Sequence, residues 1–184
     1  STVNVYNGST LIGTGKADVN GNWSFAPTVA LPDGNYSLTA TATDAAGNVS
    51  KPSPSFSFSV DTHKPDTITA LIVTDNVAPN IGNVANGGST NDTTPTFSGR
   101  VEAGATITLY SGSAVLGTAV ADNNGNWSFT PTPLDEGRYS ITATVTDRAG
   151  NVSDASANFV ITIDKSAPLT APTFTVSDDV PPVV

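Results

Sequence analysis

The residues of this chain best able to do chemistry are its aspartates. Of 16 acidic residues, 14 are Asp, and Glu102 and Glu136 are the only Glu. A short carboxylate serves two purposes: it accepts hydrogen bonds from nearby turn backbone, or it supplies oxygen to a hard cation. Glu102 lies in VEAG at 101–104, Asp122 in DNNGN at 122–126, and Asp147 with Asn151 in DRAGN at 147–151. Asp44 and Asn48 stand in the related phrase DAAGN, Asp61 and Asp164 in linker-like stretches, and Asp75 and Asp92 in a long segment between strand-like runs. Calcium takes six to eight oxygens from carboxylates, Asn side chains and backbone carbonyls, so each of these ten residues is a candidate ligand. The bland reading stands beside it: Asp147 caps its own turn and Asp61 is a solvated linker residue. For Asp122 and Asp18 the bland reading is preferred. Both open a D-x-N-G-N phrase, where Asn-Gly between alternating strands predicts a tight type I′ hairpin, and the remaining acids of an EF-hand loop are missing.

Other chemistries find little to work with. The single His, His63, sits in a linker, and there is no Cys. A serine triad needs its His beside a nucleophile and an oxyanion hole, and zinc needs a cluster of His or Cys. No phosphate-cradling GxxxxGK[ST] loop occurs. The neighbouring Asp135 and Glu136 would serve glycoside hydrolysis only across a cleft, which a corner loop does not suggest. No enzyme activity is expected. A net charge of −9 and a pI near 4.1 repel phosphate backbones, so nucleic acid is not an expected partner. No apolar run is long enough to span a bilayer and no basic-apolar leader stands at Ser1, so this segment is expected neither to insert nor to target. Without Cys, stiffness must come from packing or from a bound ion.

The elements that position these carboxylates are set by an internal repeat. Tyr6 matches Tyr110, Gly13 matches Gly117, Trp23 matches Trp127 and Phe25 matches Phe129, all at an offset of 104. From Gly34 and Gly137 onward the offset is 103, aligning YSLTATATDAAGNVS with YSITATVTDRAGNVS. Ser1 corresponds to Ala105, so residues 1–61 form a partial repeat without its first two strands; 62–164 form a complete repeat, and 165–184 begin a third. The unit, about 103 residues, is far longer than a helical or propeller repeat and close to one sandwich domain.

Within each unit the pattern is β. Tyr139, Ile141, Ala143 and Val145 alternate with Ser140, Thr142, Thr144 and Thr146, giving one buried and one wet face. Six further candidate strands in the complete repeat are 67–74, 94–101, 105–110, 114–121, 126–130 and 155–163. Seven strands predict an all-β chain of tandem immunoglobulin-like Greek-key sandwiches, and Tyr36 and Tyr139 occupy the place of a tyrosine corner. In that strand order the turns at 101–104, 122–126 and 147–151, together with Asp61, gather where the preceding repeat enters. Asp164 leaves toward the next repeat, and Asp75 and Asp92 belong to the opposite end.

The linked phrases TND-TTP-SG, D-x-N-GNWSF, G-x-Y and TD-x-AGNVS run in fixed order along the complete repeat. This chain resembles the bacterial immunoglobulin-like repeats of giant surface adhesins and biofilm-associated proteins. The resemblance implies a secreted, extracellular stalk on a bacterial cell surface, supporting adhesion or biofilm formation. Its partners would be adjacent repeats of the same chain, with a host or biofilm ligand met by a distal region, and calcium ions would be held near the junctions. Two alternatives remain open from the sequence. One is a module that binds a glycan or host protein, against which most aromatics read as core. The other is a subunit of a strand-complemented filament, since a repeat lacking two strands exposes sheet edges.

Overall fold

The computed structural model describes residues 1–167, all of them strand, turn or irregular backbone. From residue 168 on, the expected start of a third repeat lies outside the described residues. Four strands form the first unit: β1 (Thr2–Asn7), β2 (Thr10–Lys16), β3 (Gly34–Thr43) and β4 (Phe56–Val60), in one sheet of order β2-β1-β3-β4.

The second unit contains β5 (Ile72–Asp75), β6 (Gly82–Asn83), β7 (Gly88–Thr90), β8 (Thr96–Arg100), β9 (Thr106–Ser111), β10 (Ala114–Val120), β11 (Asn126–Phe129), β12 (Gly137–Thr146) and β13 (Phe159–Ile163). They make two facing sheets, β10-β9-β12-β13-β7 and β11-β8-β5-β6. The core is their alternating inward set: Val73 and Phe97 from one sheet meet Ile107, Leu109, Ile141 and Ile161 from the other, all but sealed from water. Burying each such side chain contributes about 2 kcal/mol, and deep burial of both inner faces is what a sandwich requires.

The all-β sandwich expected from the sequence is therefore found, with local corrections. The complete repeat has nine strands among the described residues, not seven. The two additions, β6 and β7, are too short and too poor in apolar residues to show a period; β7 pairs in parallel with β13 and becomes that sheet's outer strand. The candidate strand at 155–163 begins regular pairing only at Phe159. Before it, serine hydroxyls stand in for the missing ladder: Val145 N donates to Ser153 Oγ (2.9 Å) and Ala143 N to Ser156 Oγ (3.0 Å). Ser50 and Ser53 do the same for Ala42 and Ala40. Both tyrosine corners form, Tyr36 Oη donating to the Pro32 carbonyl at 2.7 Å and Tyr139 Oη to that of Asp135 at 3.0 Å.

The type I′ expectation at the two NGN turns is overturned. Among the described residues none but glycine has a positive φ; Gly21 and Gly125 do, at 85° and 83°. At 122–126, Gly125 N donates to the Asp122 carbonyl and Asp122 N to that of Asn126. That is a type I turn followed by one left-handed glycine, the three-residue hairpin loop. The Asp at its start selects this geometry by accepting from the N–H groups of Asn124 and Asn126, so Asn124 need not adopt a strained conformation.

Candidate junctional cation site

The same device occurs four times, at 18–22, 44–48, 122–126 and 147–151. One Asp oxygen accepts the backbone N–H four residues on, and the other accepts the Asn side-chain amide there, at 2.8–3.3 Å. These bonds to the charged form hold all four carboxyls below the ordinary Asp range. For Asp147 and Asp44 the leading cause is the Asn151 or Asn48 side-chain amide. For Asp122 and Asp18 it is the backbone N–H of Asn126 or Asn22.

Among the described residues, only the last turn also reaches the neighbouring repeat by a hydrogen bond. Asn151 Nδ2 donates to Asp147 Oδ2 at 2.8 Å and to the Asp61 carbonyl at 3.0 Å, so the incoming linker is tied to the turn as the sequence suggested. Asp147 is nearly buried there. Glu102 lies on the nearby turn, whose Gly104 receives the Arg148 guanidinium against its Cα. An added Cβ here would displace that flexible guanidinium, and the φ of 76° by itself favours glycine. Asp122 adjoins that turn through Gly104 N, which donates to the Ala121 carbonyl at 3.1 Å. Among the described residues, no hydrogen bond joins Asp122 to Asp147 or Asp61.

Asp75 and Asp92 behave differently. Asp75 ends β5 and Asp92 lies between β7 and β8, and both are sealed, at 2% and 0% exposure. Asp75 accepts from Val77 N (2.7 Å) and from the Thr90 hydroxyl (2.6 Å). Asp92 accepts from Asn76 N (3.1 Å), Thr94 N (2.8 Å) and the Thr94 hydroxyl (3.1 Å). No Lys or Arg reaches either among the described residues. Asp164 leaves the repeat beside them, its N–H on the Thr90 carbonyl, and lines one shallow pocket with Asp75.

The sequence reading missed the acids that hold the outgoing chain. Asp33, on the corner loop of the first unit, accepts from the Thr62 hydroxyl (3.0 Å) and pairs with His63 Nδ1 (2.5 Å). The backbone N–H of Thr62 is the main influence holding the Asp33 carboxyl low. Glu136 is its counterpart at the offset of 103, and accepts from Lys165 N (2.8 Å) and the Ser166 hydroxyl (3.1 Å). The repeat alignment held this signal, because an acid stands before the corner glycine in both copies. Lys64 Nζ meets Asp154 at 3.2 Å, adding an exposed pair across the junction. Asp33, Asp61 and His63 also lie close enough to share an ion, although all three are exposed.

Calcium can be weighed against these donors. Asp147 Oδ2 and the Asp61 carbonyl oxygen converge on one Asn151 amide, and a half-turn of that amide would bring its own oxygen to the same point. Three oxygens would then face one another, an arrangement that a hard cation stabilises. The buried pair Asp75 and Asp92, served by neutral donors only, is likewise suited to a nearby positive charge. Among the described residues, three metal-capable His or acidic side chains come together only at Asp33, Asp61 and His63, so at either end of the repeat a calcium ion would depend on Asn and backbone oxygens as well as carboxylates.

Comparison with known proteins places this architecture. Among solved structures, fibronectin(III)-like modules of Clostridium thermocellum CbhA share 22% identity over 96% of this chain and 84% of that one, with a TM-score of 0.45. A biofilm-associated protein BSP domain shares 23% over 93% of this chain and 25% of its own, at 0.36. A Bacteroides ovatus SGBP-B from a mixed-linkage glucan utilization locus, in complex with a heptasaccharide, shares 14% over 97% and 43%, at 0.30. No curated protein matches. The profile of the bacterial Ig-like domain matches residues 1–62 and again 67–165. With two successive matches to that profile together covering nearly the whole described chain, the protein belongs to the bacterial Ig-like domain family.

Proposed function

We propose that this segment is a structural spacer within the stalk of a bacterial surface adhesin, its successive Ig-like repeats held in line by calcium at their junctions. The carrying observation is the linker, which is gripped from both sides. Asn151 of the second unit holds the Asp61 carbonyl, while Asp33 of the first holds Thr62 and His63. A spacer must transmit position along its length, and bonding the linker to both neighbours limits the bending that a free linker allows. Calcium would be held by Asp61, Asp147 and Asn151, with Glu102 and Asp122 near, and by Asp75, Asp92 and Asp164 at the far end; Asp44 and Asn48 are the first unit's version. When bound, the ion neutralises carboxylates that otherwise repel one another across the junction. The setting is extracellular, where millimolar calcium suits weak sites of this kind. Small-angle scattering and thermal unfolding with and without chelator test the reading. Calcium removal should broaden the range of conformations and lower the unfolding temperature. If the scattering profile and the unfolding temperature both stay put, calcium plays no part and the linker bonds alone must align the repeats.

A further inference from the structure

An Asn followed by Gly is the pair most prone to spontaneous deamidation, because glycine has no side chain to keep its amide nitrogen away from the Asn side chain. In that reaction the Gly nitrogen bonds to the Asn Cγ while the Cγ–Nδ2 bond breaks, and the proton lost from the Gly nitrogen ends on the departing ammonia. Water then opens the resulting succinimide to Asp or to isoaspartate. The complete repeat contains two such pairs, Asn86-Gly87 and Asn124-Gly125, and the fold treats them differently.

At Asn86 both reacting groups are engaged. Gly87 N donates to the Val160 carbonyl at 2.8 Å, while Asn86 Oδ1 accepts from Val160 N (2.8 Å) and Nδ2 donates to the Asn158 carbonyl (3.4 Å). The Asn124 side chain is exposed and has no hydrogen-bond partner among the described residues, so its Cγ is open to attack. What is held instead is the peptide unit that would attack it. Gly125 N donates to the Asp122 carbonyl and the Asn124 carbonyl accepts from Arg100 Nε, both at 2.9 Å. Presenting that nitrogen to Cγ swings the peptide plane about the Asn124 Cα–C bond and breaks both bonds. The Asp122 carboxylate fastens the peptide units on either side, Oδ1 accepting from Asn124 N (2.8 Å) and Asn126 N (2.9 Å). Gly125 is itself buried, and its carbonyl accepts from Val101 N at 2.9 Å.

We propose that Asn124 is a deamidation site held closed by its own turn, with Asp122 as the guard. The D-x-N-G-N phrase then joins a reactive pair to the acid that restrains it. Asn20-Gly21 has the same partner in Asp18, whose Oδ1 accepts from Asn20 N and Asn22 N at 2.8 Å. Ring closure proceeds only from the open turn, so its rate reports how often the turn opens. Conversion at Asn124 adds a carboxylate beside that of Asp122, and the isoaspartyl form lengthens the backbone by a methylene just before β11 begins at Asn126. None of this requires a bound ion.

The test follows peptide masses of the full chain during incubation in mildly alkaline buffer, below its unfolding temperature, with the free peptide 121–129 as the unrestrained reference. Asn124 should convert more than about tenfold more slowly in the chain than in the peptide. Asp122→Ala removes the acceptor of two N–H groups and should raise the rate in the chain about tenfold. Asp122→Asn keeps one acceptor oxygen and should stay near the parent rate, and Asn86 should remain intact in all three chains. Equal rates for chain and peptide overturn the inference, as does an Asp122→Ala chain that converts no faster than its parent. An Asp122→Asn chain as fast as Asp122→Ala also overturns it, because the acceptor oxygen would then not be what holds the turn. So does a rise at Asn86 matching that at Asn124, which would assign the release to general unfolding.

Discussion

At the residue scale, the four Asp-to-Asn turns explain the surplus of aspartate before any metal is invoked. Each needs an acceptor short enough to curl back on its own loop, which Glu is not. The sequence shows the NGN motif plainly, but the presence of Asn before Gly suggests a two-residue turn. It cannot show that an Asp two residues earlier draws the loop into three. These bonds make a prediction about acid. Asp18, Asp33, Asp44, Asp122 and Asp147 are all held below their ordinary value of 3.8 in the folded chain. A carboxyl lowered on folding stabilises the protein above its unfolded pKa, and that contribution is lost as pH falls through the folded one. Lowering pH from 7 toward the pI near 4.1 also relieves repulsion within a chain of net charge −9. The unfolding temperature should therefore hold steady, or rise slightly, down to about pH 4.5, and then fall steeply toward about pH 2.5. An Asp147→Asn variant should start lower at neutral pH and show a shallower fall. A temperature that stays level to pH 2.5 would show that these turns do not depend on charge.

At the element scale, regular strands were legible and irregular ones were not, for one physical reason. Period-two alternation registers only where successive side chains meet opposite environments, as in β12, whose inward residues Ile141, Ala143 and Val145 are fully buried. The stretch before β13 is held instead by Ser153 and Ser156, polar residues placed inside because their hydroxyls complete the neighbouring ladder. Hydropathy gives no hint of such a role. The loop from β5 to β8 is a similar case. Its Asp75 and Asp92 were read as possible ligands, and the structure gives them a second task as the buried acceptors around which Asn76, Val77, Thr90 and Thr94 are organised. Asp92→Ala would leave two backbone N–H groups and one hydroxyl without their acceptor. That should cost about 3 kcal/mol by urea unfolding, with Asp92→Asn losing less because one oxygen remains. Repeating the titration with chelator separates the two roles: a loss that vanishes without calcium belongs to the ion, and one that persists belongs to the loop. A loss under about 0.5 kcal/mol would leave this carboxylate without a structural role.

At the scale of the whole molecule, the same sequence pattern occurs once with both sheets and once with one, which makes the chain its own control. The second unit closes Phe97, Ile107, Leu109 and Ile141 between two layers, whereas the first leaves Phe56 69% and Trp23 45% exposed. A single sheet with one open face buries less apolar surface against the entropy of ordering its chain than a two-layer unit does. The units are joined by a handful of exposed bonds at Asp33, Lys64 and Asn151, each contributing about 1 kcal/mol or less. Coupling of that size does not force two unequal units to unfold together. Thermal unfolding should therefore proceed in two steps, Trp23 reporting the first and Trp127 the second, which Trp23→Phe and Trp127→Phe variants assign. Raising calcium should move the two steps closer together if the ion bridges the units. One coincident transition for both indoles, already present in chelator, would mean that the linker bonds couple the repeats far more strongly than their number and exposure allow.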